Sequence, residues 1–336
     1  MATMRTMLAG ALLWMALLPA QAADVQLQEE MAADLTAALQ RSDFDAIESR
    51  YAKAVKEQAR FPSGVFVANR MLRNLLPRAG APAPGAVVDR GRDDFWVPIE
   101  EKTLRWSAQF PDSALPAIAL SEAYMSHGFA HRGNGYGGTV SPQDWQKFGQ
   151  CMDKSYEALM SRKSVGERDP NWWWMLLIVA KLQSWPRERF LPVAQQAIDA
   201  FPKNYDIYFA ISESMLPQWG GSVEALAEFA DHAAEHTAKT DGDALYARIF
   251  WNLRSQLPDG FITLPVVRWE KIRSGYDDMV RQYPDPWNLN SFARMACLAG
   301  DKATAKRVLS RIKDAVEPTG WSSRAEFNRC NAWAAG

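Results

Sequence analysis

Apolar side chains recur at every third or fourth position along almost the whole chain, and alternating strand-like patterns are nearly absent. Such spacing lays one oily stripe along each of a succession of helices, which a chain can bury only by packing helix on helix. Met31, Leu35 and Leu39 begin the series, and Phe44, Ile47, Tyr51 and Val55 repeat it. A third helix is expected from Ser63 to Leu76. Ser141-Pro142 opens another, with Asp144 at the capping-box position and Trp145, Phe148, Met152, Tyr156 and Leu159 on its apolar face. The pattern runs on through Val193, Ala197 and Ile198, through Leu226, Phe229, Ala230 and Ala233, and through Trp269, Ile272, Tyr276 and Met279. Asp301 is the expected cap of a helix carrying Val308, Leu309, Ile312 and Val316.

Proline punctuates these helices. Phe110-Pro111-Asp112, Asp169-Pro170-Asn171, Phe201-Pro202-Lys203 and Tyr283-Pro284-Asp285 each end one helix and begin the next. Pro170 and Pro202 are 32 residues apart, close to the tetratricopeptide period of about 34, although the other steps are irregular. The expected fold class is therefore all-α, a degenerate tetratricopeptide-like array of helical hairpins forming an α-α superhelix.

The N-terminus predicts export. Arg5, the apolar run from Met7 to Leu18 and the Ala20-Gln21-Ala22 cleavage pattern define a signal peptide over residues 1–22. That run is too short for a permanent span, which needs about 20 residues, so the mature chain is expected in the periplasm or secreted, with no membrane span. Pro77, Gly80, Pro82, Pro84 and Gly85 mark a linker at residues 78–92, between an N-terminal helical segment (23–77) and a main domain (93–336). Lys and Arg number 38 against 39 Asp and Glu, so nothing in the charge balance favours nucleic acid or an anionic membrane as partner.

Three cysteines are present, none in a CxxC pair. Cys297 and Cys330, about one helix-pair period apart, form the expected disulfide, with three buried thiols as the alternative. Cys151 has no sequence cue for a lowered pKa and reads as packing.

Several segments carry a likeness beyond composition. They include His131-Arg132-Gly133-Asn134-Gly135-Tyr136, Asp169-Pro170-Asn171-Trp172-Trp173, Leu216-Pro217-Gln218-Trp219-Gly220-Gly221-Ser222 and Tyr246-Ala247-Arg248-Ile249-Phe250-Trp251. Tyr283-Pro284-Asp285-Pro286-Trp287-Asn288, Ala296-Cys297-Leu298-Ala299-Gly300-Asp301 and Cys330-Asn331-Ala332-Trp333-Ala334 complete the series. Through them the main domain resembles the bacterial domain-of-unknown-function family 4034. The resemblance implies a helical, tetratricopeptide-like domain and brings no activity, substrate or catalytic residue with it.

All four histidines fall in two i, i+4 pairs, His127 with His131 and His232 with His236, a spacing at which two imidazoles on one helix face can hold a metal ion. Neither pair has the HExxH glutamate, and spacing shows no third ligand. In the glycine-rich stretch Arg132 to Gly138, free backbone N–H groups and Arg132 could bind an anion, or Arg132 could bond carbonyls at a helix end. The 14 tryptophans include Trp172-Trp173-Trp174, whose directions differ by about 100° on a helix, so they cannot all face one side. At least one is expected to line a groove or a neighbouring helix. Trp219-Gly220-Gly221-Ser222 reads as a helix end, a glycine turn and a serine cap. No nucleophile elbow or Cys-His arrangement is present.

The leading expectation is thus a non-enzymatic cell-envelope protein, without cofactor or catalytic residue, that binds a protein, peptide or small ligand. Its groove residues are expected to be Arg132, Tyr136, Trp173, Trp219 and Arg248. The alternative is a metal-dependent or other hydrolase using a histidine pair with Arg132.

Overall fold

Many of the helices begin where a short polar side chain takes up a backbone N–H left free by the first turn. Ser141 accepts from Asp144 N, Asp169 from Asn171 N, Asn204 from Asp206 N, Ser222 from Ala225 N, Asp285 from Trp287 N and Asp301 from Thr304 N. Proline occupies the first position after Ser141, Asp169 and Asp285. The computed structural model describes residues 20–76, 93–133, 135, 137–313 and 315–336. Most of the expected signal peptide and the linker at residues 78–92 lie outside the described residues, as does Tyr136.

The described chain is all-helical. α1 (Ala20–Arg41), α2 (Phe44–Lys56) and α3 (Val67–Leu75) precede the linker. After it come α4 (Asp93–Gln109), α5 (Leu115–Arg132), α6 (Pro142–Met160), α7 (Lys163–Gly166), α8 (Pro170–Leu182), α9 (Arg187–Ala200) and α10 (Tyr205–Ser214). α11 (Val223–Asp241), α12 (Ala244–Leu253), α13 (Trp269–Gln282), α14 (Pro286–Leu298), α15 (Lys302–Ile312) and α16 (Arg324–Ala335) complete it. No strand occurs among the described residues; one isolated bridge joins Arg60 and Phe66. None of the described helices is long and apolar enough to cross a membrane.

The third helix starts at Val67, later than the expected Ser63. Phe61 N bonds Val65 O and Val67 N bonds Ala59 O, closing a turn in which Gly64 has φ +85°, a backbone region that favours glycine. A Cβ on Gly64 would stand 2.9 Å from an Arg248 guanidinium nitrogen. This turn, and not a helix, approaches the centre of the later domain.

Packing is mainly between chain neighbours: α4 on α5, α5 on α6, α8 on α9, α11 on α12, α12 on α13 and α14 on α15. Next-but-one contacts, α8 with α10 and α10 with α12, join the pairs into a second layer. α8 is apolar on every side because it meets α5, α6, α9 and α10 together. Hence Trp172, Trp173 and Trp174 are all buried: Trp172 donates to the Leu159 carbonyl on α6, Trp173 to the Glu167 carbonyl, and Arg73 from α3 lies 5.0 Å over Trp174.

One hydrophobic cluster runs from Leu35 to Ala334 and includes residues on both sides of the linker. A polar chain also crosses between them. Arg73 Nε donates to Asn69, Asn69 Nδ2 to Asn171, Asn171 Nδ2 to the Tyr51 hydroxyl, and that hydroxyl to Asp169. Cys297 on α14 and Cys330 on α16 are disulfide-linked, their Cα atoms 5.9 Å apart, and Cys151 is a buried free thiol.

Candidate functional site

Arg248 lies in the middle of α12, a helix whose other residues from Ala244 to Trp251 are apolar or aromatic. The guanidinium is buried. It meets the Ser63 carbonyl at 3.5 Å through Nη2 and the Tyr205 ring at 5.1 Å, and its Nε has no hydrogen-bond partner among the described residues. Burial first, and then the charge of Arg60, draws its pKa below the ordinary arginine value. An arginine nonetheless stays protonated in a protein, so a charge is held in a poorly solvated place.

That charge faces a cavity of about 390 Å³. Arg70 and Arg73 reach it from α3, Arg254 from the end of α12, and Trp251, Tyr276 and Trp287 give it aromatic walls. Arg254 is anchored by donating to the Trp251 carbonyl at 2.7 Å while lying 3.8 Å over the Trp251 ring. Trp251 and Trp287 meet edge to face. The Tyr276 hydroxyl is buried and has no partner among the described residues. Asp206 is the one carboxylate in the lining. Burial raises its pKa even though Arg73, Arg70, Arg60 and Arg248 all pull the other way. Four guanidinium groups, planar forks suited to carboxylate and phosphate oxygens, thus converge with one weakened acid.

A second cavity of about 430 Å³ shares Val65, Arg70, Trp287 and Thr319 with the first and continues it toward α1. Its charge is opposite, from Asp24, Glu29, Asp285 and Glu317. Asp285 is pushed up to about 6 by burial and by the negative charges of Asp24 and Glu317. Together the two hollows make a groove with a basic and an acidic end.

No model of a known protein family, no curated protein and no solved structure matches this chain. The chemistry therefore rests on the groove itself.

Of the four described residues among the five expected to share a groove, Arg248 alone lines the arginine cavity. Trp219 borders a separate hollow of about 270 Å³, where Lys181 Nζ lies 4.8 Å over its ring and is paired with Glu213 at 2.8 Å. Trp173 is buried in α8, where its indole donates to the Glu167 carbonyl at 3.0 Å. Arg132 ends α5, donating to the carbonyls of Gly133 and Gly135 and lying 5.0 Å over Trp145, so it closes a helix end. A further hollow of about 320 Å³ between α2 and the α9–α10 turn has Lys203 as its one charged lining residue.

Sequence reasoning missed Arg70, Arg73, Arg254 and Asp206. An arginine inside an apolar helix is a signal, and Arg248 carries it. Arg70 and Arg73 carry none, since an arginine pair three apart on a short amphipathic helix is normally a solvated face. Neither α4 nor α5 contributes to the groove, so His127 and His131 lie apart from it.

Proposed function

We propose that this protein is an exported, non-enzymatic binding protein of the bacterial cell envelope, built as a tetratricopeptide-like array, whose groove holds an anionic ligand. The observation that carries the reading is Arg248, a buried charge with an unused Nε–H on the wall of a cavity shared with three other arginines. An unpaired buried charge costs several kcal/mol, a penalty that an anion seated among the guanidinium groups would offset. The aromatic walls and the acidic far end favour a small molecule or peptide with an anionic group at one end, an apolar body and a cationic group beyond. Stacking of helix pairs supports the array. The cleavage pattern at Ala22 supports export.

The test is calorimetric titration and thermal unfolding of the mature chain with sulfate, phosphate and a short peptide bearing a free carboxylate. At least one is expected to bind and to raise the melting temperature. Arg248→Met should weaken that binding at least tenfold, because a charged hydrogen bond is worth roughly 1.5–3 kcal/mol. The same change should leave the unliganded protein as stable or more so. Failure of all three anions, or unchanged binding by Arg248→Met, would overturn the proposal.

A further inference from the structure

At the packed faces of α4 and α5, three ligand atoms stand in a nearly equilateral triangle. His127 Nε2 is 3.1 Å from Asp93 Oδ1, His131 Nε2 is 3.0 Å from the same oxygen, and the two Nε2 atoms are 3.2 Å apart. The opposite nitrogen of His127, Nδ1, lies 2.8 Å from Oε1 of the buried Glu100. Trp96, fully buried, stacks on the His127 ring at 5.9 Å and an interplanar angle of 17°. His127 is thus fixed in orientation by a carboxylate behind it and an indole beside it.

The proton count makes the triangle informative. With Nδ1–H donated to Glu100, a neutral His127 turns the lone pair of Nε2 toward Asp93 and His131. His131 can donate one Nε2–H to one of its two neighbours. At least one side of the triangle then sets two lone pairs face to face. A second proton on His127 would satisfy at most two of the sides, whereas a cation in the middle relieves all three. At the ordinary zinc–ligand distance of about 2.0–2.1 Å, an ion would sit about 1 Å off the plane of the three atoms, with ligand–metal–ligand angles of about 100°. That is the geometry of three protein ligands on one side of a tetrahedral ion. Water reaches the site from the Asp93 side, whose side chain is 63% exposed. A carboxylate on the far nitrogen of a ligating histidine is also the usual support of such sites.

We propose that Asp93, His127 and His131 bind one divalent transition-metal ion of the zinc type, with Glu100 as the positioning residue and the fourth ligand supplied by water. The ion ties the start of α4 to the end of α5. Neither the groove nor its ligand enters the proposal.

Untagged mature protein should bind one Co2+ per chain with the visible absorption of a tetrahedral nitrogen and oxygen site, and Zn2+ should displace it. Asp93→Asn and His131→Gln should each lower Zn2+ affinity at least tenfold and remove the Co2+ band. Glu100→Gln should lower affinity by roughly 10–100-fold while keeping a shifted band. His236→Gln, in the other pair, should change neither. Far-ultraviolet circular dichroism of each variant checks that the helices persist, and metal-dependent melting of the parent gives a readout that needs no variant. The inference fails if the parent binds neither ion, if Zn2+ leaves its melting temperature unchanged, or if binding survives Asp93→Asn and His131→Gln together.

Discussion

Tyr51 on α2 donates its phenolic O–H to Asp169, 118 residues further on, at 2.9 Å in the buried interior. Asp169 is at the same time the cap of α8, accepting from Asn171 N at 2.8 Å. One carboxylate therefore ties the N-terminal helices to the middle of the main domain and starts its most enclosed helix.

Because burial dominates its surroundings, Asp169 is pushed up from 3.8 to about 6. The native state holds this proton more tightly than the unfolded chain, so the associated stability is present below about pH 4 and is lost as pH rises through 6. Asp169→Asn can keep both accepted hydrogen bonds without ionising. Its stability relative to the parent should climb between pH 4 and 6 and then level off, by on the order of 3 kcal/mol. Urea unfolding at four pH values from 4 to 7 measures this, and parallel profiles for the two proteins would refute it.

The fold was legible where local chemistry determines it. Ser141, Ser222 and Asp301 cap the helices their positions announce, and Cys297 and Cys330 sit one helix pair apart. The site was less so. Its parts come from α3, the turn at Ser63, α10, α12, α13 and α14, and no spacing in the chain encodes which helices meet. The histidines show the same limit: i, i+4 spacing brings His127 to His131, but Asp93 joins them only through the packing of α4 on α5.

Thiol chemistry separates the three cysteines. Cys151 is buried, and burial raises its pKa to about 11, so it should resist thiol reagents in the native protein. In denaturant one thiol should titrate before reduction and three after it. Replacing Cys297 and Cys330 together by alanine should cost roughly 3–4 kcal/mol of stability, as expected for a closed loop of this length. Finding three reactive thiols in unreduced, denatured protein would contradict the linkage.

Gly275 on α13 lies against the start of α12. A Cβ there would run into the Asp243 carbonyl oxygen and, at 2.9 Å, the Ala247 methyl. Gly275→Ala should destabilise the protein by about 1–3 kcal/mol despite alanine's better helix propensity, because backbone on the facing helix cannot yield as a side chain can. A lowered denaturation midpoint with an unchanged slope is the expected result; a raised midpoint would show that the helices part easily.

Asp206 sets the polarity of the arginine cavity. Its carboxylate opposes an incoming anion, while burial keeps its pKa above the usual range. Acidification that protonates Asp206 removes a negative charge from the lining and leaves every guanidinium charged, so sulfate should bind the parent more tightly as pH falls. Asp206→Asn should fix the cavity in that tighter state, strengthening sulfate binding roughly tenfold at neutral pH, the scale of one charge a few ångströms away in a medium of intermediate dielectric. It should also flatten the pH dependence, leaving only the part that Asp285 in the adjoining hollow contributes. Calorimetric titration of parent and variant from pH 8 down to the ordinary carboxylate range near pH 4 distinguishes this from a general surface-charge effect, which would tighten both proteins alike on acidification.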